Sequence, residues 1–145
     1  MKKLLVGLLL VGSALSFGAT QRVSLEKLET NENRDTLYLE ETKKPYSGEV
    51  ERKYPDGKLL GLATVKDGKL NGKSYEYYEN GKLKIELPLD KNGLVNGIVK
   101  IYYPSGKIMS EKSYKDDKLE GTVKIYDESG KIISEEFFKN GNRIK

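Results

Sequence analysis

The feature that most constrains this chain is a pattern that recurs four times, with each copy opening on a glycine. The leading glycines are Gly48, Gly72, Gly97 and Gly121, and a second glycine follows nine places after each. Tandem repetition at such a period is typical of repeat arrays, in which each unit packs on its neighbours. The repeats therefore determine the fold class before any single residue does.

A turn signal surrounds the second glycine of each copy. The four turn segments are Pro55-Asp56-Gly57-Lys58, Glu79-Asn80-Gly81-Lys82, Pro104-Ser105-Gly106-Lys107 and Glu128-Ser129-Gly130-Lys131. Tight turns need positive φ, which glycine adopts without a Cβ clash, so each repeat is predicted to be a β-hairpin.

The predicted fold is all-β: one elongated antiparallel sheet of tandem hairpins, with about nine strands. The repeat domain spans residues 35–145. It divides into a half-repeat at 35–47 and repeats at 48–71, 72–96, 97–120 and 121–145. Within the half-repeat, residues 36–42 are a predicted strand that caps the first hairpin. Residues 20–34 form an N-terminal lead, in which 22–28 fit a short strand or a turn of helix.

A two-residue turn would fix which residues face each other across each hairpin. The pairs predicted near the turns are Tyr54 with Leu59, Tyr78 with Leu83, Tyr103 with Ile108 and Asp127 with Ile132. Further from the turns, the register predicts favourable charge pairs of Lys100 with Glu111 and Lys124 with Glu135.

The same register places each leading glycine opposite a larger residue. The predicted pairs are Gly48 with Val65, Gly72 with Leu89, Gly97 with Tyr114 and Gly121 with Phe138. A glycine there leaves room for a neighbouring side chain to lie across bare backbone. The alternative is a plain turn residue, because two of these glycines follow Asn71 and Asn96.

The first 19 residues are predicted to be a cleaved signal peptide. Lys2 and Lys3 precede an apolar run at 4–11, and small residues follow it. The run is too short to span a bilayer. The chain has no cysteine, so a lipoprotein anchor and disulfides are excluded. The predicted location is the periplasm, the cell surface or the medium.

Composition excludes several kinds of chemistry. The chain has no His, Cys or Trp, which removes Cys/His nucleophiles, His acid–base catalysis and His/Cys metal sites. Carboxylates such as Asp116 and Asp117 fall in predicted solvated turns, and each turn offers too few ligands for calcium. We therefore predict no enzyme, no cofactor and no metal.

The charge balance argues against a nucleic acid partner. Of the 26 lysines and arginines, two lie in the signal, which leaves 24 against 22 acidic residues. These charges are interleaved, and no basic cluster marks a face that would follow a phosphate backbone. Membrane-surface binding has little electrostatic support for the same reason.

Two rows of tyrosines are the best functional signal. Tyr54, Tyr78 and Tyr103 form one row, which we interpret as cross-strand packing. The second row lies on the other face, opposite Lys84, Met109 and Ile133, and it is either a contact surface or simple sheet surface. The candidate partner-binding residues are Tyr77, Tyr102, Tyr126, Lys84 and Met109.

The pattern G-x-V-x-x-Y-Y-x-x-G-K-I/L, followed by an N/D-G turn, resembles the MORN repeat. It is most similar to the bacterial variant often labelled the YwqK family of antitoxins. The likeness covers about residues 34–145, including Pro45-Tyr46-Ser47-Gly48. The chain departs from it where Val50, Ser74, Val99 and Val123 replace an expected aromatic, and where Asp127 replaces a tyrosine. The resemblance implies a binding protein and an antitoxin role.

The function predicted from the sequence is thus an exported, non-catalytic protein-binding module, with a toxin as the partner that the resemblance implies. Binding to cell-wall carbohydrate is an alternative, although comparable glycan-binding repeats stack sugars on tryptophan. Membrane-surface binding and a structural role in the envelope, with strands pairing edge to edge, are the others.

Overall fold

The computed structural model describes residues 21–33 and 35–144, so the predicted signal peptide lies outside the described residues. Thirteen strands and one short 3-10 helix, Leu25–Lys27, occur in this part of the chain. The strands are β1 Arg22–Ser24, β2 Leu28–Thr30, β3 Leu37–Leu39, β4 Lys44–Pro45, β5 Gly48–Lys53, β6 Leu59–Lys66, β7 Lys69–Tyr77, β8 Leu83–Leu89, β9 Gly97–Tyr102, β10 Ile108–Lys115, β11 Lys118–Tyr126, β12 Ile132–Lys139 and β13 Asn142–Ile144.

The repeats form one long sheet in which neighbouring strands follow chain order. Ten strands lie in it, in the order β1-β5-β6-β7-β8-β9-β10-β11-β12-β13. Only β1 runs parallel to its neighbour, and every other pairing in the sheet is antiparallel. The predicted all-β sheet of tandem hairpins is confirmed.

The N-terminal lead and the half-repeat together form a second, small sheet that the sequence did not predict. Strands β2, β3 and β4 form this sheet. Residues 22–28 include both structures considered for them, a strand and a 3-10 turn. The strand predicted at 36–42 exists as β3, but it pairs within the small sheet while β1 takes the edge of the long one. Hydrogen bonds from Leu37 N to Gly68 O, 2.7 Å, and from Gly68 N to Tyr46 O, 2.7 Å, join the two sheets.

The core lies where the small sheet packs against the first hairpin. Tyr46, Val50 and Val65 are buried there, and apolar residues of the lead and the half-repeat pack around them. Those residues are Val23, Leu28, Leu37 and Leu39. Further along the long sheet, Val99 and Val123 are the buried apolar residues. Most of the sheet is a single layer, so its stability depends on contacts between adjacent repeats.

The hairpin turns differ from the predicted two-residue type. Tyr54 N donates to Lys58 O and Gly57 N donates to Tyr54 O, both at 2.8 Å, which closes a three-residue loop. The same bonds recur in the other repeats at Tyr78, Tyr103 and Asp127. These residues therefore lie opposite lysines, and their predicted pairing with Leu59, Leu83, Ile108 and Ile132 is wrong by one position.

A bulge on the second strand of each hairpin then restores the predicted register. The extra residues are Leu60, Lys84, Met109 and Ile133. Beyond the bulge, the predicted charge pairs Lys100 with Glu111 and Lys124 with Glu135 are confirmed. A bulge places two residues opposite one and increases local twist. Each turn and its bulge thus form one compensating unit.

The leading glycines lie opposite the residues predicted for them. They are strand residues, which argues against the plain turn reading. At Gly97 a Cβ would lie 3.1 Å from Pro88 Cγ, and at Gly121 it would lie 3.3 Å from Ser113 Cβ. The glycines give room to side chains of the adjacent strand, as the packing interpretation expects, although the covering residue is not the one directly opposite.

Two glycines with the same backbone conformation allow a direct test of close packing. Gly68 and Gly81 both have φ of +80°, but a Cβ at Gly68 would collide with Thr36 and lie 3.0 Å from Leu37 O. Nothing lies within 4 Å of a Cβ at Gly81. Gly81→Ala should lower the free energy of unfolding by about 1–2 kcal/mol, the cost of the left-handed conformation. Gly68→Ala should cost clearly more in urea denaturation. Equal losses would show that the two sheets do not pack as described.

Candidate functional site

The candidate site is a row of three tyrosines on one face of the long sheet, which we call the tyrosine face. Tyr77, Tyr102 and Tyr126 are the last residues of β7, β9 and β11. They lie opposite Leu83, Ile108 and Ile132, respectively. The predicted opposite residues, Lys84, Met109 and Ile133, are the bulge residues, so that part of the prediction is wrong.

Lys84 lies on the other face of the sheet. Its Nζ is 4.0 Å from Glu76 Oε2 and 5.8 Å from the centre of the Tyr78 ring. Glu76 directly precedes Tyr77, and successive side chains of a strand point to opposite faces. Met109 occupies the equivalent bulge one repeat later. Of the five predicted site residues, the structure therefore groups the three tyrosines and separates Lys84 and Met109 from them.

A line of alternating charges crosses the tyrosine face, and we call it the charge ladder. Consecutive cross-strand partners are Glu86, Lys100, Glu111, Lys124 and Glu135. Lys73 adds a contact of 2.6 Å to Glu86. Within hairpins, the Lys100–Glu111 and Lys124–Glu135 distances are 3.7 and 3.4 Å. Exposed pairs like these are each worth at most about 1 kcal/mol, but together they fix the pattern of charge on this face.

One tyrosine of the row bonds directly to the charge ladder. Tyr126 Oη donates to Glu111 Oε2 at 2.8 Å, and this bond is the main cause that raises the pKa of Tyr126. Burial, followed by the charge of Glu86, raises the pKa of Tyr102. Burial, followed by Tyr75, raises the pKa of Tyr77. All three phenols therefore stay protonated at neutral pH and present a ring together with a polar hydroxyl.

The other tyrosine row holds successive repeats together. The hydroxyls of Tyr54, Tyr78 and Tyr103 donate to a backbone carbonyl in the following repeat, at 2.8, 2.6 and 2.8 Å. The acceptors are the carbonyls of Tyr77, Tyr102 and Tyr126. The first row thus fixes the backbone beneath the tyrosine face. This structural role differs from the packing against leucine and isoleucine that the sequence suggested.

Asp127 replaces a tyrosine because it stabilises its own turn. Its Oδ1 accepts hydrogen bonds from Ser129 N at 2.8 Å and from Lys131 N at 3.0 Å. A bond from the Ser129 hydroxyl and these backbone bonds lower the pKa of Asp127. Asp127 departs from the repeat pattern, but its side chain caps the turn by accepting these hydrogen bonds.

A groove of about 350 Å3 on the opposite face was missed from the sequence. Its floor includes Gly61, Ala63 and Ser74, with Leu25 of the lead and Leu37 of the half-repeat along one side. The next hairpins carry larger residues at the equivalent positions, Ile85, Leu87 and Val99. The small side chains of β6 and β7 at these positions are the sequence signal that could have predicted the groove.

In the part of the chain that the structure describes, two further features are absent: a metal site and a membrane-spanning helix. No group of three acidic side chains comes close enough to hold a metal ion there. None of the helical structure at residues 21–33 and 35–144 is long and apolar enough to cross a membrane.

The fold and face together define a class: tandem hairpin repeats that offer a sheet surface for binding. Comparison with known families identifies the family, since four stretches match the MORN repeat variant at residues 46–67, 70–91, 95–116 and 119–140. More than half of the chain is matched, and the chain belongs to this family. MORN repeats are commonly protein- or membrane-binding modules and are generally non-catalytic. No curated protein and no solved structure matches the chain.

The hydrogen bonds by which the first tyrosine row joins successive repeats can be tested by removing a single hydroxyl group. Tyr78→Phe removes the hydroxyl that donates to Tyr102 O and should lower the free energy of unfolding by about 0.5–1.5 kcal/mol. Tyr75→Phe is the matched control, because no hydrogen bond of the Tyr75 hydroxyl occurs among the described residues. Chemical denaturation of both variants would measure the difference. Equal stability losses would exclude an inter-repeat role for Tyr78.

Proposed function

We propose that this chain is an exported protein-binding module whose contact surface is the tyrosine face. The observation that carries the proposal is the regular spacing of Tyr77, Tyr102 and Tyr126 along a rigid sheet beside the charge ladder. Protein interfaces are enriched in aromatic rings, which lose little conformational entropy on binding, and polar or charged residues surround those rings.

The composition of this face favours a protein over the other partners considered. Alternating glutamate and lysine give it no net attraction to an anionic membrane. The absence of tryptophan removes the ring that comparable glycan-binding repeats use for stacking. A protein surface with its own mixed charges can match the ladder in register, which gives specificity as well as contact area.

The proposed partner is a toxin that the chain neutralises. The support is the resemblance of the repeats, and of the segment around Tyr46, to the bacterial variant with the antitoxin label. A non-catalytic sheet that covers a functional surface of another protein is a sufficient mechanism for such a role. Neutralisation would then require only tight and specific binding.

Capture of partners from the native envelope and culture fractions tests the binding face. The Tyr77→Ala/Tyr102→Ala variant should fail to capture a partner protein that the unmodified chain retains, because two of the three rings of the tyrosine face are removed. Tyr114→Ala is the matched control, since Tyr114 pairs with Gly97 and points to the opposite face. The retained protein should inhibit growth when expressed alone and become harmless when this chain is co-expressed.

The following results would overturn the proposal. Retention of only glycan or lipid would support wall or membrane binding instead. Equal capture by the double variant and the control would exclude the tyrosine face as the contact surface. Circular dichroism should show that both variants are folded before the comparison is made.

Export is a separate part of the proposal and has its own measurement. The protein recovered from its native host should lack the first residues, with a new N terminus close to residue 20, in the envelope or culture fraction. Mass spectrometry of the intact protein gives the terminus directly. Recovery of the whole chain from the cytoplasm would contradict export without affecting the binding face.

A further inference from the structure

Two glutamates of the charge ladder face the same two residue types on the strand that follows them. Glu86 faces Lys100 on β9, and Tyr102 of that strand lies close enough for Glu86 to help raise the pKa of its phenol. Glu111 faces Lys124 on β11 and accepts a hydrogen bond of 2.8 Å from Tyr126. Each following strand therefore supplies a lysine and, two residues later, a tyrosine.

Glu135 is the third glutamate of this series, and in the part of the chain that the structure describes no strand pairs with β12 on its outer side at this position. Its contact on the inner side is Lys124, at 3.4 Å. Within residues 35–144, the outer edge of β12 pairs with β13 only at positions 137–139. The side chain of Glu135 is 40% exposed, against 28% for Glu111 and 20% for Glu86. The open edge, which we define as residues 132–136, exposes backbone groups as well as this carboxylate.

Exposed apolar side chains concentrate around the open edge. Ile133 is 61% exposed and Phe137 is 51% exposed, and Ile132 and Ile144 are exposed as well. Ile108 and Met109, which hold the positions of Ile132 and Ile133 one repeat earlier, are partly buried. The last hairpin thus presents the apolar surface that the following strand covers in the interior repeats.

We propose that the open edge binds an extended segment of a partner protein, antiparallel to β12, that carries a Lys-x-Tyr sequence. The lysine lies opposite Glu135, and the tyrosine hydroxyl donates to the same carboxylate. Apolar residues on either side of the lysine cover the exposed isoleucines. Backbone hydrogen bonds supply affinity in this kind of strand addition, and side-chain positions supply specificity.

The occupant follows from charge complementarity rather than from the open edge alone. The ladder alternates in sign, so the next position after Glu135 calls for a cation. β12 carries no tyrosine and no lysine at 132–138, so a second copy pairing through this strand does not reproduce the Lys-x-Tyr pattern. The site uses the backbone edge of β12 at the end of the charge ladder rather than the three tyrosine rings, and it extends the proposed function to a second contact.

Short peptides taken from the chain itself are the probes. The peptide Val-Lys-Ile-Tyr copies residues 99–102 of β9, and with its lysine opposite Glu135 it covers only the open edge that β13 leaves unpaired. A second peptide replaces its lysine with glutamate. Fluorescence anisotropy with the purified protein should give saturable binding of the first peptide. The second should bind about three- to tenfold more weakly, because like charges would face each other. A third peptide, with phenylalanine for tyrosine, should also bind more weakly than the first.

Charge reversal on the protein makes the test specific. Glu135→Lys should invert the preference, so that the glutamate peptide binds better than the lysine peptide. Glu32→Lys makes the same charge change on an exposed residue of the lead and should leave the preference unchanged. Inversion in the first variant alone supports the proposal.

Any of four results would overturn it. The two peptides could bind equally, neither could bind at concentrations up to about 1 mM, or Glu135→Lys could leave the order unchanged. A stable dimer in sedimentation that Glu135→Lys dissociates would assign the edge to a second copy. Partner capture that depends on Tyr77 and Tyr102 would be unaffected by all of these, so failure here is separable from failure of the proposed function.

Discussion

The turn-and-bulge unit of each hairpin is the constraint on which the rest of the structure depends. The three-residue loop shifts the strand pairing by one position, and the bulge residue shifts it back. The tyrosine that begins the loop is thereby released from direct pairing with an apolar residue. Its hydroxyl reaches the next repeat, where Tyr78 bonds to Tyr102 O. A single-layer sheet has few other ways to couple its repeats.

The same unit sorts side chains between the two faces. Because the bulge adds a residue on one strand only, Lys84 lies with Glu76 and Tyr78, while Tyr77 remains on the other face. The charge ladder could form on the tyrosine face because the register is restored beyond each bulge. Local geometry at the turns therefore decides which residues can act together at a distance from them.

The sequence predicted the repeats, the hairpins and the register far from the turns, since these follow from period, alternation and glycine position. It could not predict the three-residue loop, because Asn-Gly and Asp-Gly fit more than one turn type. Lys84 and Met109 were therefore placed on the wrong face. The turn residues determine pairing only within each hairpin, so the pairing of Glu86 with Lys100 across two hairpins does not follow from them. The small sheet and the groove depend on tertiary packing of the lead, which has no periodic signal.

The repeat pattern also explains why the ladder carries information about binding. In the interior, a glutamate faces a lysine on both neighbouring strands, as Glu111 faces Lys100 and Lys124. Such pairs add little stability individually, but an incorrect strand would place like charges together and be disfavoured. The alternation therefore acts mainly as a selection rule for register. At β12 the same rule applies to any strand that arrives from outside, because a lysine opposite Glu135 would continue the alternation that places Lys124 opposite Glu111.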